Sequence, residues 1–251
     1  MSERTDKISD MLHIPAGVFP GFSSENKFGR NASVDGTEDV WDFGGAYRFP
    51  IAASTVVVVS ASTQDNQAGA GLGAYTVKLI GLDGDYASTT DTVTMNGTTG
   101  VETTSSFLRL HRMAVISASS IDATNIGAIS ATNDVGDTMA QISATFGQTL
   151  MAIYTVKAGC TAFMTQYYVS SDRVAAGASI DVNLFVRPFG EVFQVKNHQG
   201  LMTDGSSHLV HPFRPYFKIS EKSDIKIEVT SSKDDSDVAA GFDLVLVEEL
   251  L

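Results

Sequence analysis

The sequence predicts an all-β protein, and three observations carry that prediction. Apolar and polar residues alternate with period two along many short runs, turn-forming residues separate the runs, and no amphipathic helix longer than about two turns follows residue 50. Successive side chains of a strand point to opposite faces, so such alternation marks a strand half-buried in an antiparallel sheet. Tyr75, Val77 and Leu79 alternate with Thr76 and Lys78, and Val93 and Met95 with Thr92 and Thr94. Ile180, Val182, Leu184 and Val186 alternate with Asp181, Asn183 and Arg187, and Ile225, Ile227 and Val229 with Lys226 and Glu228. Phe242, Leu244 and Leu246 share one face, with Asp243 on the other.

In chain order, residues 2–12 suit a short helix that ends before Pro15. Residues 14–50 have no clear period. They hold Pro15, Gly17, Pro20, Gly21, Gly29, Gly36, Gly44, Gly45 and Pro50, yet also a dense set of aromatics. A flexible linker would not carry so many rings, because each buries a large area. Residues 1–50 are therefore expected to form an irregular N-terminal arm that docks through Phe19, Phe22, Phe28, Trp41, Phe43 and Tyr47. The competing reading packs these rings on the chain's own domain, with Trp41 plugging the first β-domain. Residues 55–59 are a β-branched run suited to a strand buried on both faces. Residues 81–85 read as a turn, and Asn96-Gly97 as a hairpin signal. Residues 107–117 form a further strand with Leu108, Leu110, Ala114 and Ile116 on one face, and weaker strands cover 126–130 and 139–143. Residues 150–156 and 161–169 are expected to form a hairpin through the compact turn 157–160. A boundary near residue 147 then gives two β-sandwich or jelly-roll-like domains, 51–146 and 147–251, with a single large sandwich as the alternative.

Composition narrows the function. The chain has 251 residues, 29 acids against 17 bases, a net charge of −12, and 18% charged residues. A field of that sign repels phosphate backbones, so no nucleic-acid partner is expected. Low charge content leaves a surface that packs on a partner with little charge desolvation. The single cysteine, Cys160, rules out an intramolecular disulfide and a multi-cysteine zinc site. Residues 1–12 lack the apolar stretch of a signal peptide, and residues 56–59 are far too short to span a membrane.

No motif that carries chemistry is complete in the sequence. There is no G-x-S-x-G elbow, and Cys160 sits in an expected turn with no histidine nearby in sequence. A glycosidase needs two carboxylates about 5–10 Å apart, and no aromatic-flanked glutamate suggests one. His198, His208 and His211 form the only histidine cluster; Pro212 and Pro215 argue against a helix there, so hydrogen-bonding histidines are favoured over a metal site. Asp83 with Asp85, and Asp234, Asp235 and Asp237, are oxygen-rich but lack the spacing of a calcium loop. Residues 69–73 are glycine-rich without the lysine of a phosphate loop. No catalytic residue, cofactor or metal is expected.

Several strings then suggest a family. Residues 26–31 (NKFGRN) and 38–42 (EDVWD) resemble the opening of virion proteins of tailed bacteriophages, marine ones especially. The resemblance continues through 77–83, 96–99, 148–156, 158–159, 186–193 and 215–225, and so covers most of the chain after residue 25. Relatives carry proline before the Ala-Gly of the expected hairpin, where this chain has Lys157. The resemblance implies a virion structural protein assembled in the host bacterial cytoplasm, with a capsid decoration or cement role foremost. It implies copies of itself, a trimer favoured, and the major capsid or other virion proteins as partners. A tail or fibre module that binds a receptor or glycan is the alternative. It transfers no catalytic residue.

Overall fold

The computed structural model describes residues 10–173, 178–203 and 207–249. Of the helix expected over residues 2–12, residues 1–9 lie outside that description; Asp10–His13 forms one helical turn, α1. The rest of the described chain is strand, turn and loop, and no helix among the described residues is long and apolar enough to cross a membrane.

The strands form four small antiparallel sheets. Strand β1 (Phe22–Val34) pairs with β16 (Ser236–Glu248), β16 with β11 (Cys160–Arg173), and β11 with β14 (Ser207–Ile219). The second sheet runs β10 (Ile153–Thr155), β15 (Asp224–Ser231), β12 (Ala178–Arg187) and β13 (Gln194–Thr203). Strand β2 (Thr37–Asp39) also pairs with β15. The third sheet runs β6 (Val101–Glu102), β3 (Val57–Ser60), β8 (Ile129–Thr132) and β9 (Thr138–Ile142). The fourth places β4 (Ala74–Leu82) between β5 (Ser88–Thr94) and β7 (Arg109–Ala118).

The period-two runs bury the faces they should. Ile180, Val182, Leu184, Val186, Ile225, Ile227, Val229, Phe242, Leu244 and Leu246 are all buried in one core between the first two sheets. Val77, Leu79, Val93 and Met95 are buried in a second core between the third and fourth sheets. The two cores touch through a shared wall. Residues 151–156 are buried throughout, and they send Met151 and Ile153 into the second core but Ala152, Tyr154 and Val156 into the first. Val40 and Trp41 do the same in opposite directions, and a bridge pairs Trp41 with Met151. Strand β1 passes so close to this wall that a Cβ at Gly29 would collide with Val40 O and Ala152 N. Only glycine fits there.

Residues 14–50 are not an irregular arm. Phe22–Val34 is a thirteen-residue strand that runs in register along β16, from Phe22 opposite Val247 to Asn31 opposite Val238. Trp41 and Tyr47 lie in the second core, edge to face with centroids 5.0 Å apart. Trp41 Nε1 donates to Gly45 O at 3.1 Å. The entropy cost of ordering this glycine-rich segment is offset here by pairing with a strand more than 200 residues away, which local pattern cannot reveal. Four other expectations are corrected. Strand order gives four small sheets rather than two evident jelly rolls. Val57 is exposed, so residues 55–59 are buried on one face only. Ile116 is exposed because register shifts along the β4–β7 pair change which face of β7 points inward. Finally, residues 157–160 are a tight turn that leads from one sheet to another, not a hairpin, and Asn96-Gly97 closes only a single antiparallel Asn96–Thr99 bridge before the chain changes sheets: β5 pairs with β4 while β6 pairs with β3, and β10 pairs with β15 while β11 pairs with β14 and β16.

Buried charge also crosses the seam between the cores. Arg109 of β7 meets Asp224 of β15 at 3.0 Å, both side chains about 95% buried (4% and 5% exposed). Arg187 of β12 binds the other oxygen of Asp224, and Thr155 Oγ1 donates to the first at 2.6 Å. Replacing Trp41 by alanine should lower stability by about 3–5 kcal/mol, the cost of emptying a large buried aromatic site. Asp224→Asn should lower it by about 3–5 kcal/mol, because the buried Arg109 guanidinium and the part-exposed Arg187 lose their counter-charge. Urea midpoints measured by tryptophan fluorescence check Asp224→Asn, and circular dichroism checks Trp41→Ala, which removes the fluorophore.

Candidate assembly surface

The first sheet has one face on its core and one face toward solvent. On the solvent side, alternation requires polar residues at the positions between the buried ones. Instead, β16 places Val245 and Val247 there, β11 places Phe163, and β14 places Tyr216. The N-terminal segment folds along the margin of this face. Gly21 turns with φ 78°, Phe22 N donates to Phe19 O, and Glu248 N donates to Gly21 O at 2.8 Å. Phe19 packs edge-on against His13 and Phe22. The result is an apolar groove of about 480 Å³ lined by Ile14, Phe19, Phe22, Phe163, Tyr216 and Val245, among others. Phe22 is 41% exposed and Tyr216 57%. Large side chains held this open to water mark a surface suited to a partner rather than to solvent.

The six residues expected to form the interface thus separate. Phe19 and Phe22 line the groove. Phe43 is exposed elsewhere and packs on Trp41 at 5.3 Å between centroids. Trp41 and Tyr47 are interior, and Phe28 is half-buried beneath Arg112. Phe163, Tyr216, Val245 and Val247 were missed. The signal for Val245 and Val247 was present in β16, where residues 244–247 are apolar on both faces.

Phe28 lines a second cavity, of about 420 Å³, between β1, β4, β7 and β10, with Glu25, His111, Arg112, Tyr154 and Lys157 among its walls. Beneath it Lys27 is buried on β1 and donates from Nζ to His111 O. Burial holds its ammonium down to a pKa of about 7; Glu25 pulls upward and Arg112 adds to the fall. His111, buried beside it, is pushed well below the usual histidine range by the same desolvation. Its Nε2 accepts from Thr155 N at 3.2 Å and its ring lies on Tyr154. Burial likewise raises Asp42 to about 6, opposed by bonds from Leu150 N and Ser143. These groups close backbone connections between sheets.

The other sequence candidates are dispersed. His198 Nδ1 bonds Asn183 at 2.9 Å, His211 Nε2 bonds Asn197 at 3.3 Å, and His208 lines a different cavity beside Arg30 and Asp237. Among the described residues no group of three histidine, cysteine or acidic side chains is placed to hold a metal. Cys160 is buried. Asp83 closes the β4–β5 turn by accepting from Asp85 N and Ala87 N.

The buried lysine makes a pH prediction. An unfolded lysine keeps its proton to about 10.5, whereas Lys27 in the fold gives its proton up near 7. Between those values the unfolded chain binds more protons, so stability should rise with pH; below about 7 both states are charged and the burial cost is fully present. Lys27→Met should flatten this rise and add about 1–4 kcal/mol at neutral pH. Urea unfolding of both proteins from pH 6 to pH 10 checks it; a parallel slope in the two proteins would refute it.

No family model matches the chain, and no curated protein does. Solved structures that align with it include the infectious bursal disease virus Gx strain, 13% identical over 90% of this chain and 72% of that one, at a TM-score of 0.27. The VP2 subviral particle of infectious bursal disease virus aligns at 11% identity over 91% and 72%, with a TM-score of 0.24. Derived T=1 particles of that virus align at 10% over 91% and 70%, with a TM-score of 0.26. At these TM-scores the likeness carries no argument about fold or function.

Proposed function

We propose that this chain is a structural subunit of a tailed-phage virion that acts by protein–protein assembly, as a capsid decoration or cement protein. The observation that carries this reading is the open apolar groove across the first sheet, lined by Phe19, Phe22, Phe163 and Tyr216. Covering it on assembly would contribute roughly 25 cal/mol per Å² of apolar surface, before association costs. The resemblance of residues 26–31, 38–42 and 186–193 to tailed-phage virion proteins supports the same reading. Within it the two cores act as two sandwich-like modules, the chain works as a trimer, its further partner is the major capsid protein, and it takes its place on the virion during assembly in the host cytoplasm. The reading assigns it no reaction and no cofactor.

The competing reading is a tail or fibre module that binds a receptor or glycan. It is favoured by a separate feature, a cationic cleft walled by Tyr86 and Phe189.

Quantitative mass spectrometry of purified particles separates the two. A decoration protein should be present in copies comparable with the capsid protein, a tail module in low multiples of three or six. Phe22→Asp lies on the exposed face, so its unfolding midpoint should stay within about 0.5 kcal/mol of the parent. Its incorporation into particles should fall at least about tenfold, the effect of losing a central aromatic anchor. Normal incorporation of the folded variant would remove the groove from the assembly surface.

A further inference from the structure

The seam between the two cores opens at one end into a cleft of about 340 Å³. Three turns supply its walls. Tyr86 comes from the β4–β5 turn, Phe189 from the β12–β13 loop, and Lys222 from the β14–β15 turn. The rings of Tyr86 and Phe189 stand edge to face, 5.7 Å apart at 86°. Phe189 is 62% exposed and Ile51 beside it is fully exposed. The floor is the buried cluster of Arg109, Asp224 and Arg187.

Charge in this cleft runs against the charge of the molecule. The chain carries −12 overall, yet here Arg109, Arg187 and Lys222 face only Asp224 and Glu191. Asp224 is held between both guanidinium groups. Glu191 accepts from Gln194 Nε2 at 2.9 Å. Lys222 has no carboxylate partner among the described residues; its Nζ sits 5.8 Å from the Tyr86 ring and 5.4 Å from the Phe189 ring. Both hydrogen bonds of Arg187 to Asp224 come from Nε and Nη2; among the described residues Nη1 makes no hydrogen bond, while the guanidinium lies over the rings of Phe49 and Phe193. Tyr86 and Lys222 both hold left-handed backbone, at φ 63° and 58°, which L side chains rarely adopt. Such conformations persist where the surrounding structure holds a side chain in a set position, and they cluster at binding sites.

From this geometry we propose that the cleft binds a carboxylated sugar, such as a hexuronate unit of an acidic polysaccharide. The carboxylate meets the Lys222 ammonium and Nη1 of Arg187, where a charge-assisted bond is stronger than a neutral one. The pyranose ring lies on Tyr86 or Phe189, whose negative ring face attracts the slightly positive C–H face of the sugar. A small concave site with apolar walls and few fixed polar groups is the usual form of a small-ligand site. A bare anion would use the cations but leave the rings wet. A neutral sugar would use the rings but leave Lys222 without a carboxylate. The cleft is separate from the assembly groove, and this proposal deepens the tail or fibre reading without depending on the virion position.

Calorimetric titration of the full chain with trigalacturonate, and with its fully methyl-esterified form, tests the proposal. Saturable binding of the acid is expected, with the ester at least tenfold weaker. Lys222→Gln and Phe189→Ser should each weaken binding of the acid at least tenfold, while Lys222→Arg, which keeps the charge, should retain most of it. Thermal unfolding establishes that each variant is folded, and the lysine pair carries the test if Phe189→Ser is not. No saturable binding of trigalacturonate, equal binding of acid and ester, or unchanged binding by Lys222→Gln overturns the proposal. Sodium acetate that competes as strongly as the trisaccharide overturns its sugar part. None of these outcomes bears on copy number in particles, so the assembly reading stands or falls separately.

Discussion

The two cores share a wall one strand thick, and the rest of the molecule is arranged around it. Residues 151–156 can line both cores because a strand presents alternate side chains to opposite sides, and every one of these side chains is apolar or small enough to be buried. Such a wall cannot tilt or slip. A register change of one residue would exchange Met151 and Ile153 with Ala152 and Tyr154, so that each core would receive side chains of the wrong volume. Strand β1 presses against the wall at Gly29, and this contact places the whole N-terminal strand along β16. The exposed groove follows from it, because Phe22 stands at the far end of the same strand and Phe19 in the turn that precedes it.

Charges are used where apolar packing cannot continue. At the seam Asp224 receives bonds from Arg109, Arg187 and Thr155, so it is buried with its oxygens satisfied. Asp39 and Lys226 form a second buried pair at 2.8 Å, beside Glu228. Burial of ions is costly, and such pairs add little net stability against apolar replacements. Their effect is directional: Asp224 accepts from donors on β7, β10 and β12 and so holds those strands in one relative position, while Asp39 ties Tyr47 N of the loop after β2 to Lys226 of β15. Lys27 is less well compensated, with a backbone carbonyl as acceptor, and its lowered pKa records that imbalance.

The candidate surface was legible in part. A dense set of aromatics in a stretch rich in proline and glycine led to the expectation that residues 14–50 are covered by something, and the fold buries some of these rings and leaves others exposed. Composition could not say which. Trp41 and Tyr47 are covered by the chain's own second core, whereas Phe19 and Phe22 are left in the open groove. These residues are chemically alike, and only their positions relative to distant strands distinguish them. Residues 151–156 bury both of their sides because they form an internal wall between two cores of one chain.

The sequence by itself determined the strands that alternate regularly and their inward faces, but not β1, β13 or β14, nor the inward face of β7. Period-two alternation is a local property, and the runs at 180–186, 225–229 and 242–246 bury the residues that alternation selects. It also determined most turns, because Asp83 and Gly97 set their own local geometry. Tertiary structure alone decided which strands pair. Strand β1 finds β16 across more than 200 residues, and the turns at 96–97 and 157–160 carry the chain between sheets where their local form equally suits a hairpin. Pairing between distant segments depends on closing long loops and on filling a common core, and neither is written in any short window of residues.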